Sequence, residues 1–240
     1  QHKARLGSLL LSAAVLLPAC SSGSNDRNDE VTVMEEEKNS YSYNITLKNL
    51  SYNQPLSPAA VIVDSQPTDY WRLGEPASEA LETLAESGDN SALLAAVDDQ
   101  ALYNEAGRDL VHPAASESWS IDFEAKEINA YLSLVSMLVN SNDAYTGIQQ
   151  VDLSTLAVND EITLALMTYD SGTEANGELQ GTIPGPADGG EGFNSMRDDV
   201  DYVAMHPGVV ANAAEHPDSI LDQSHRFDAP IAELVIQRMQ

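Results

Sequence analysis

The chain has 240 residues, with 38 acidic side chains against 11 lysines and arginines and a formal net charge of −27 at pH 7. A surface this acidic repels nucleic acid and bare anionic lipid, so the composition argues against both as partners. The sequence contains one cysteine, which excludes an intramolecular disulfide and leaves the hydrophobic core, or a metal, to stabilise the fold.

The N-terminal residues have the pattern of a bacterial export signal. A short basic region precedes an apolar stretch at residues 6–17, which is too short to span a bilayer, and small residues then lead to Cys20. The position of Cys20 resembles the lipobox cysteine that is diacylated in bacterial lipoproteins, and Ser21 beside it resembles a signal for outer-membrane sorting. We therefore predict a signal peptide over residues 1–19 and lipidation at Cys20. The expected location is the bacterial outer membrane, on its periplasmic or cell-surface side, with membrane contact only through the lipid anchor.

The segment that follows Cys20 is polar, charged and nearly free of aromatic side chains. This composition is typical of flexible chain, and we predict an acidic tether over residues 20–39. The remaining residues, 40–240, have the usual length of one domain with a single hydrophobic core. The sequence therefore predicts one folded domain behind a tether.

Alternation of apolar and polar residues predicts β-strands through much of this domain. The clearest example is residues 41–47, where every second side chain is apolar or aromatic and the others are polar. Residues 131–139 are apolar on both faces, as expected of a central strand. In chain order, the predicted strands cover residues 41–47, 59–63, 118–123, 131–139, 161–169 and 230–239.

Two stretches have the spacing of helices. Residues 76–86 place apolar side chains at helical intervals, with Pro76 early and Gly88 just past the end. A second, weaker helical pattern begins at Ser91. Strands with one or two short inserted helices favour a mainly β fold, an antiparallel β-sandwich. Residues 184–230 show little periodicity, and we predict that they form a long excursion packed on the sandwich.

Three segments of the domain, in order and at matching spacing, resemble the spondin N-terminal domain of F-spondin, mindin and many bacterial lipoproteins. In residues 56–89, a Ser-Pro precedes a strand, and an aromatic residue, a glycine and Ala-Ser-Glu lead into a helix. In residues 132–148, a strand ends in a loop with an aspartate before an aromatic residue and a glycine. The third segment, YDSGTE at residues 169–174, is similar to the family's Tyr-Asp-Ala-Gly-Thr-Asp. The His-Pro at His206 fits a His-Pro in the same relative place.

This resemblance implies a C2-like antiparallel β-sandwich that binds a calcium ion, Ca²⁺, through loops at one end. Carried over position by position, the implied ligands are Asp143, Asp170 and Glu174, although the animal members have an aspartate in place of Glu174. The resemblance also implies an adhesion or interaction module rather than an enzyme. Its expected partner is a protein or glycan at the cell surface, and the expected role of the ion is structural.

The residues themselves are compatible with such a site. Asp143 follows one apolar strand and Asp170 follows another, and neighbouring strands of a sandwich can bring two such loops to one end. Gly172 lets the chain turn so that Asp170 and Glu174 face one point. Ca²⁺ takes about six to eight hard oxygen ligands from carboxylates, carbonyls and water. From spacing alone, a solvated acidic turn remains the alternative.

Two other classes of function remain open from the sequence. A copper or zinc site would form if histidines of the domain converged, although none has the i, i+4 spacing of a helical metal motif. The histidines concerned are His112, His206, His216 and His225. A hydrolase is less favoured, because the sequence has no Gly-x-Ser-x-Gly nucleophile elbow. We therefore predict no catalytic residues.

Overall fold

The computed structural model describes residues 38–97, 100–212 and 216–240. The predicted signal peptide, Cys20 and the tether up to residue 37 lie outside these residues, so those assignments stay predictions. The first strand begins at Asn39, close to the predicted start of the domain. Among the described residues, no helix has both the length and the apolar character needed to cross a lipid bilayer.

The described chain consists mainly of β-strands with two short α-helices, which confirms the predicted fold class. The strands are β1 (Asn39–Asn49), β2 (Ala60–Asp64), β3 (Tyr103–Ala106), β4 (Ser116–Ala125), β5 (Tyr131–Met137), β6 (Ala144–Asp152), β7 (Glu161–Asp170), β8 (Ala204–Met205) and β9 (Ala232–Arg238). The helices are α1 (Glu79–Ser87) and α2 (Ser91–Ala95), and 3-10 turns cover Leu153–Thr155 and Gln223–His225. All six predicted strands are present, and β3, β6 and β8 are additional to them.

The strands pair antiparallel in the order β3-β2-β5-β6-β7-β9-β1-β4, with β8 attached to the end of β7. β7 pairs with both halves of this sheet, because residues 161–166 pair with β9 and residues 167–170 pair with β6. It therefore passes from one layer into the other. Side chains from both layers meet in one core, which includes Ile45 and Leu234 from one side and Val61 from the other.

The alternation in β1 places its apolar side chains in this core. Tyr43, Ile45 and Leu47 are fully buried, whereas the residues between them are half-buried. Tyr43 lies opposite Ile121 of β4, and its ring stacks on Phe123 with the ring centroids 6.1 Å apart. Burial of each such side chain contributes about 1.5–3 kcal/mol. A shift of one residue in the pairing would expose the whole apolar set, so the pattern specifies the register.

Helix α1 covers the face of β5 that is turned away from this core. Met137 of β5 packs with Leu81 and Leu84 of the helix in a second apolar cluster. The helix follows Ser78, whose side chain accepts a hydrogen bond from the backbone of the first turn, and ends at Gly88, which has a left-handed φ of 74°. Because Met137 is the last residue of β5, this packing brings the C-terminal turn of α1 to the end of that strand.

The long segment predicted between residues 184 and 230 packs on the sandwich, although its described residues contain only β8 and one 3-10 turn. Val209, Leu221 and Phe227 join the core between the two layers. The backbone N–H of His206 donates to a carbonyl oxygen of β7 over 3.1 Å. The segment thus lies against the end of β7, where the predicted site residues are found.

Candidate metal centre

Strands β6 and β7 bring Asp143 and Asp170 to the same end of the sheet. Asp143 directly precedes β6, Asp170 ends β7, and the antiparallel pairing places Ala144 opposite Asp170. One carboxylate oxygen of each aspartate and one ring nitrogen of His206 all lie within 4.8 Å of one another. Both aspartates are buried: Asp143 has no exposed surface, and Asp170 is 4% exposed. The structure therefore brings together two of the three predicted ligands and adds a histidine.

The two oxygens of the Asp143 carboxylate have different surroundings. Oδ2 accepts hydrogen bonds from the hydroxyl of Ser171 (2.7 Å) and from the backbone N–H groups of Thr173 (2.9 Å) and Glu174 (3.3 Å). Oδ1 is buried and has no hydrogen-bond partner among the described residues. The hydroxyl of Thr173 also lies 3.4 Å from Oδ2, and together these donors fix the loop after β7 against Asp143. An unsatisfied buried carboxylate oxygen is unfavourable, and a cation would satisfy it.

The loop after β7 turns back on itself at Gly172. This residue has a φ of 71°, and its backbone N–H donates to Asp170 Oδ1 over 2.8 Å. A Cβ atom here would overlap the backbone carbonyl oxygen of Tyr202, which passes across the loop. Glycine is therefore needed both for the left-handed backbone and for the close approach of a second chain segment.

We expect Gly172→Ala to lower the free energy of unfolding by about 2 kcal/mol or more, because left-handed strain combines with a steric overlap. Gly181→Ala is the matched control, since Gly181 also has a positive φ (90°) but an added Cβ would have no atom within 4 Å. The control should cost about 1 kcal/mol. Urea denaturation measures the free energy of unfolding of both variants. Equal losses of stability would show that the contact with Tyr202 is unimportant.

Glu174, the third predicted ligand, lies beside the two aspartates and is not part of the group that includes His206. Its backbone N–H donates to Asp143, and its Oε1 accepts a hydrogen bond from the side-chain amide of Asn142 (3.2 Å). Its Oε2 is buried without a hydrogen-bond partner in the part of the chain that the structure describes. Glu174 therefore also presents an unsatisfied carboxylate oxygen at this end of the sheet.

Glu86 is a residue of this region that the sequence analysis missed. It lies in the last turn of α1 and is 1% exposed, and its Oε2 accepts a hydrogen bond from the backbone N–H of Asn194 (2.8 Å). Its Oε1 is buried, again with no hydrogen-bond partner in residues 38–97, 100–212 and 216–240. A carboxylate in the last turn opposes the helix dipole, and this was the one signal in the sequence that could have indicated a special role.

Burial and repulsion by neighbouring negative charges raise the pKa values of Asp143, Glu174 and Glu86. Burial raises the pKa of Asp143 well above its usual range, and the neighbouring Asp170 carboxylate raises it further. Burial also raises the pKa of Glu174 to about 7, and the charges of Glu86 and Asp143 add to the effect. Burial likewise raises the pKa of Glu86. The protein alone compensates these negative charges poorly, and a bound cation would compensate them.

The four histidines singled out from the sequence do not meet at one point in the described chain. His206 alone lies beside the two aspartates. His225 caps a 3-10 turn, and His216 contacts the backbone carbonyl of Gly177 over 3.1 Å. His112 is exposed. A copper or zinc site made of several histidines is therefore not formed by the described residues.

The fold and this site define an antiparallel β-sandwich domain with a buried, carboxylate-rich site where the ends of two strands and a helix meet. A comparison with protein families matches residues 51–180, just over half of the chain, to the Spondin_N family. The chain belongs to the Spondin_N family, as its motifs predicted. The match includes all three predicted ligands, whereas His206 lies beyond it. No curated protein matched the chain in a second comparison.

Proposed function

We propose that this chain is a calcium-binding Spondin_N protein of the bacterial cell envelope that acts as an adhesion or interaction module. The observation that carries the proposal is the group of buried carboxylate oxygens at this end of the sheet that accept no hydrogen bond from the described residues. They are Oδ1 of Asp143, Oε2 of Glu174 and Oε1 of Glu86. Asp143, Asp170 and Glu174 are the proposed ligands, and Glu86 adds a fourth carboxylate beside them.

The donor set favours calcium over other metals. Carboxylate oxygens are hard ligands that suit Ca²⁺, which accepts about six to eight oxygens in a flexible arrangement. Mg²⁺ is smaller and requires a near-octahedral arrangement, whereas Zn²⁺ and Cu²⁺ prefer nitrogen or sulfur ligands. The pKa values of Asp143 and Glu174 are raised because the protein compensates their negative charges poorly, and a bound calcium ion would compensate them.

The proposed role of the ion is structural. Asp143 precedes β6, Asp170 ends β7 and Glu86 lies in the last turn of α1, so a cation shared by their carboxylates would connect three elements. A rigid loop end of this kind suits the binding of another molecule, for which we propose a protein or glycan at the cell surface. The membership of the Spondin_N family supports an interaction module over an enzyme, and we assign no catalytic residue. Lipidation of Cys20 would hold the module at the outer membrane.

A calcium titration of the thermal midpoint, Tm, tests this proposal on the full chain. Ca²⁺ at about 100 times its Kd should stabilise the metal-free protein by about 2.7 kcal/mol, which corresponds to about 5–10 °C in a domain of this size. The double variant Asp170→Asn, Glu174→Gln should lose most of this rise. The control variant Glu124→Gln, Glu161→Gln removes two negative charges from exposed strand positions and should keep it.

Two results would overturn the calcium proposal. A Tm that does not respond to Ca²⁺ would mean that the buried carboxylates hold no calcium. A rise with Zn²⁺ or Cu²⁺ but not with Ca²⁺ would favour a second candidate function, transition-metal binding by this envelope protein. The position of His206 next to Asp143 and Asp170 is the observation that supports this second candidate.

A further inference from the structure

A series of hydrogen bonds connects His206 to the proposed ligand Asp170 through the side chain of Asn176. The amide of Asn176 donates from Nδ2 to Asp170 Oδ2 over 2.7 Å, and its Oδ1 lies 3.0 Å from His206 Nε2. On the far side of the ring, the backbone N–H of Gly208 donates to His206 Nδ1 over 2.9 Å. We call these four residues the relay, and it runs from the long excursion into the site.

The hydrogen bonds at the two ring nitrogens of His206 are consistent with only one position of the imidazole proton. Because Gly208 donates to Nδ1, that nitrogen carries no proton. Because Asn176 uses its N–H on an Asp170 oxygen, its Oδ1 faces the imidazole and accepts from Nε2–H. The ring is therefore neutral, with its proton on Nε2.

Packing holds the imidazole of His206 in this orientation. The side chain is 1% exposed, and its ring contacts Phe227 with the ring centroids 5.1 Å apart. Turning a ring nitrogen lone pair toward the aspartates would break the hydrogen bonds to Gly208 and Asn176 and leave buried polar groups unsatisfied. His206 therefore lies within reach of the metal centre without a free lone pair to offer it.

We propose that His206 is a positioning residue of the calcium site and not a metal ligand, and that it acts on Asp170 through Asn176. This inference rests on the proposed calcium function. Asp170 receives one donor on each oxygen, from Gly172 on Oδ1 and from Asn176 on Oδ2, so its carboxylate plane is held in place. With the only ring lone pair engaged by Gly208, the donor set stays all-oxygen, which favours Ca²⁺ over Zn²⁺ and Cu²⁺.

Three variants of the full chain test this role by calorimetric titration with Ca²⁺. Groups that orient metal ligands contribute about 10–100-fold to metal affinity, so His206→Leu and Asn176→Ala should each weaken Ca²⁺ binding by at least about 10-fold. His206→Gln keeps an N–H donor near the position of Nε2 and should recover most of the affinity. The Tm of each metal-free variant is measured alongside, because a merely structural role would lower Tm and leave the Ca²⁺ affinity unchanged.

Nitrogen NMR of the imidazole provides a second readout. We expect the proton on Nε2 and the lone pair on Nδ1, both without metal and with saturating Ca²⁺. A proton on Nδ1, a Zn²⁺-induced change at Nε2, or unchanged Ca²⁺ affinity in the His206→Leu and Asn176→Ala variants would overturn the inference and leave the calcium proposal standing. A wild-type chain that binds no Ca²⁺ would instead overturn the proposed function, and the positioning role with it.

Discussion

The metal-free protein is expected to lose stability as the pH rises from about 4.5 to about 7, the reverse of ordinary acid denaturation. The cause is Glu174, whose pKa burial raises from 4.5 to about 7, together with Asp143, whose pKa burial and Asp170 also raise. In this range the unfolded chain has lost protons that the folded chain still holds. Because the folded state then binds more protons, the free energy of unfolding falls with increasing pH.

The size of this effect follows from the pKa of Glu174. The difference between 4.5 and about 7 sets an upper limit of about 3 kcal/mol for this side chain, because solvent screens part of the effect at a partly exposed group, and the loss is nearly complete once the pH exceeds the folded-state value. Asp143 adds to the loss in the same direction. Calcium should act oppositely, because it binds the ionised carboxylates. It should add little stability near pH 5 and most of its stability above pH 7.

Urea denaturation near pH 5, pH 6 and pH 7.5, with a chelator and then with Ca²⁺, measures this dependence. In chelator, Asp143→Asn with Glu174→Gln should flatten the pH dependence, because neither replaced side chain titrates. Glu124→Gln with Glu161→Gln should retain it, since both glutamates are exposed. A metal-free wild-type protein that becomes more stable toward pH 7.5 would show that the two buried carboxyls are ionised in the folded state.

The sequence predicted the strands in which apolar and polar residues alternate between the two faces, or in which both faces are apolar. β1 alternates buried and half-buried residues along most of its length, and β5 is buried nearly throughout. β6 escaped prediction because its first four residues are buried and its last five are half-buried, which gives no period of two. β3 has four residues and lies at the edge of the sheet. Pairing with neighbours specifies these two strands, and a single sequence does not show that pairing.

The residues of the site also fall into two groups, those that the sequence could predict and those that it could not. Asp143 and Asp170 could be predicted because each follows a recognisable strand, β5 or β7, and the pairing of β6 with β7 then brings them together. Glu86 reaches the site only because α1 packs on β5, and His206 only because the excursion bonds to the end of β7. The positions of both side chains depend on tertiary contacts between segments far apart in the chain. Local spacing therefore showed the carboxylates that the strands present, missed Glu86, and singled out His206 without placing it beside the two aspartates.

Residues 194–203, here called the strap, connect α1 with the loop after β7. Backbone N–H groups of the strap donate to the carbonyl oxygens of Thr173 (3.1 Å) and Gly172 (2.7 Å). On the helix side, another strap N–H donates to Glu86. Because the strap has no helix or strand of its own, it depends on tertiary contacts such as these, and one of them is a buried ion pair.

Replacing Arg197 of the strap with methionine is expected to cause a large loss of stability. Its guanidinium donates to Glu82 Oε2 over 2.6 and 3.0 Å and to the carbonyl oxygen of Ala77 over 2.8 Å. Glu82 is 4% exposed, so the variant leaves a buried carboxylate without its partner. Such a change typically costs about 3–5 kcal/mol, which should lower Tm by at least about 6 °C.

Arg72→Met is the matched control, because Arg72 forms its ion pair with Asp69 at the exposed surface. This substitution should leave the free energy of unfolding unchanged within error. Adding Glu82→Gln to Arg197→Met should recover most of the loss, since the buried charge is then gone. The single Arg197 variant should also weaken Ca²⁺ binding, because the strap supports the loop at Gly172. If Arg197→Met proved no more harmful than Arg72→Met, the strap would not depend on its ion pair, and its other contacts would be enough to couple α1 to the loop.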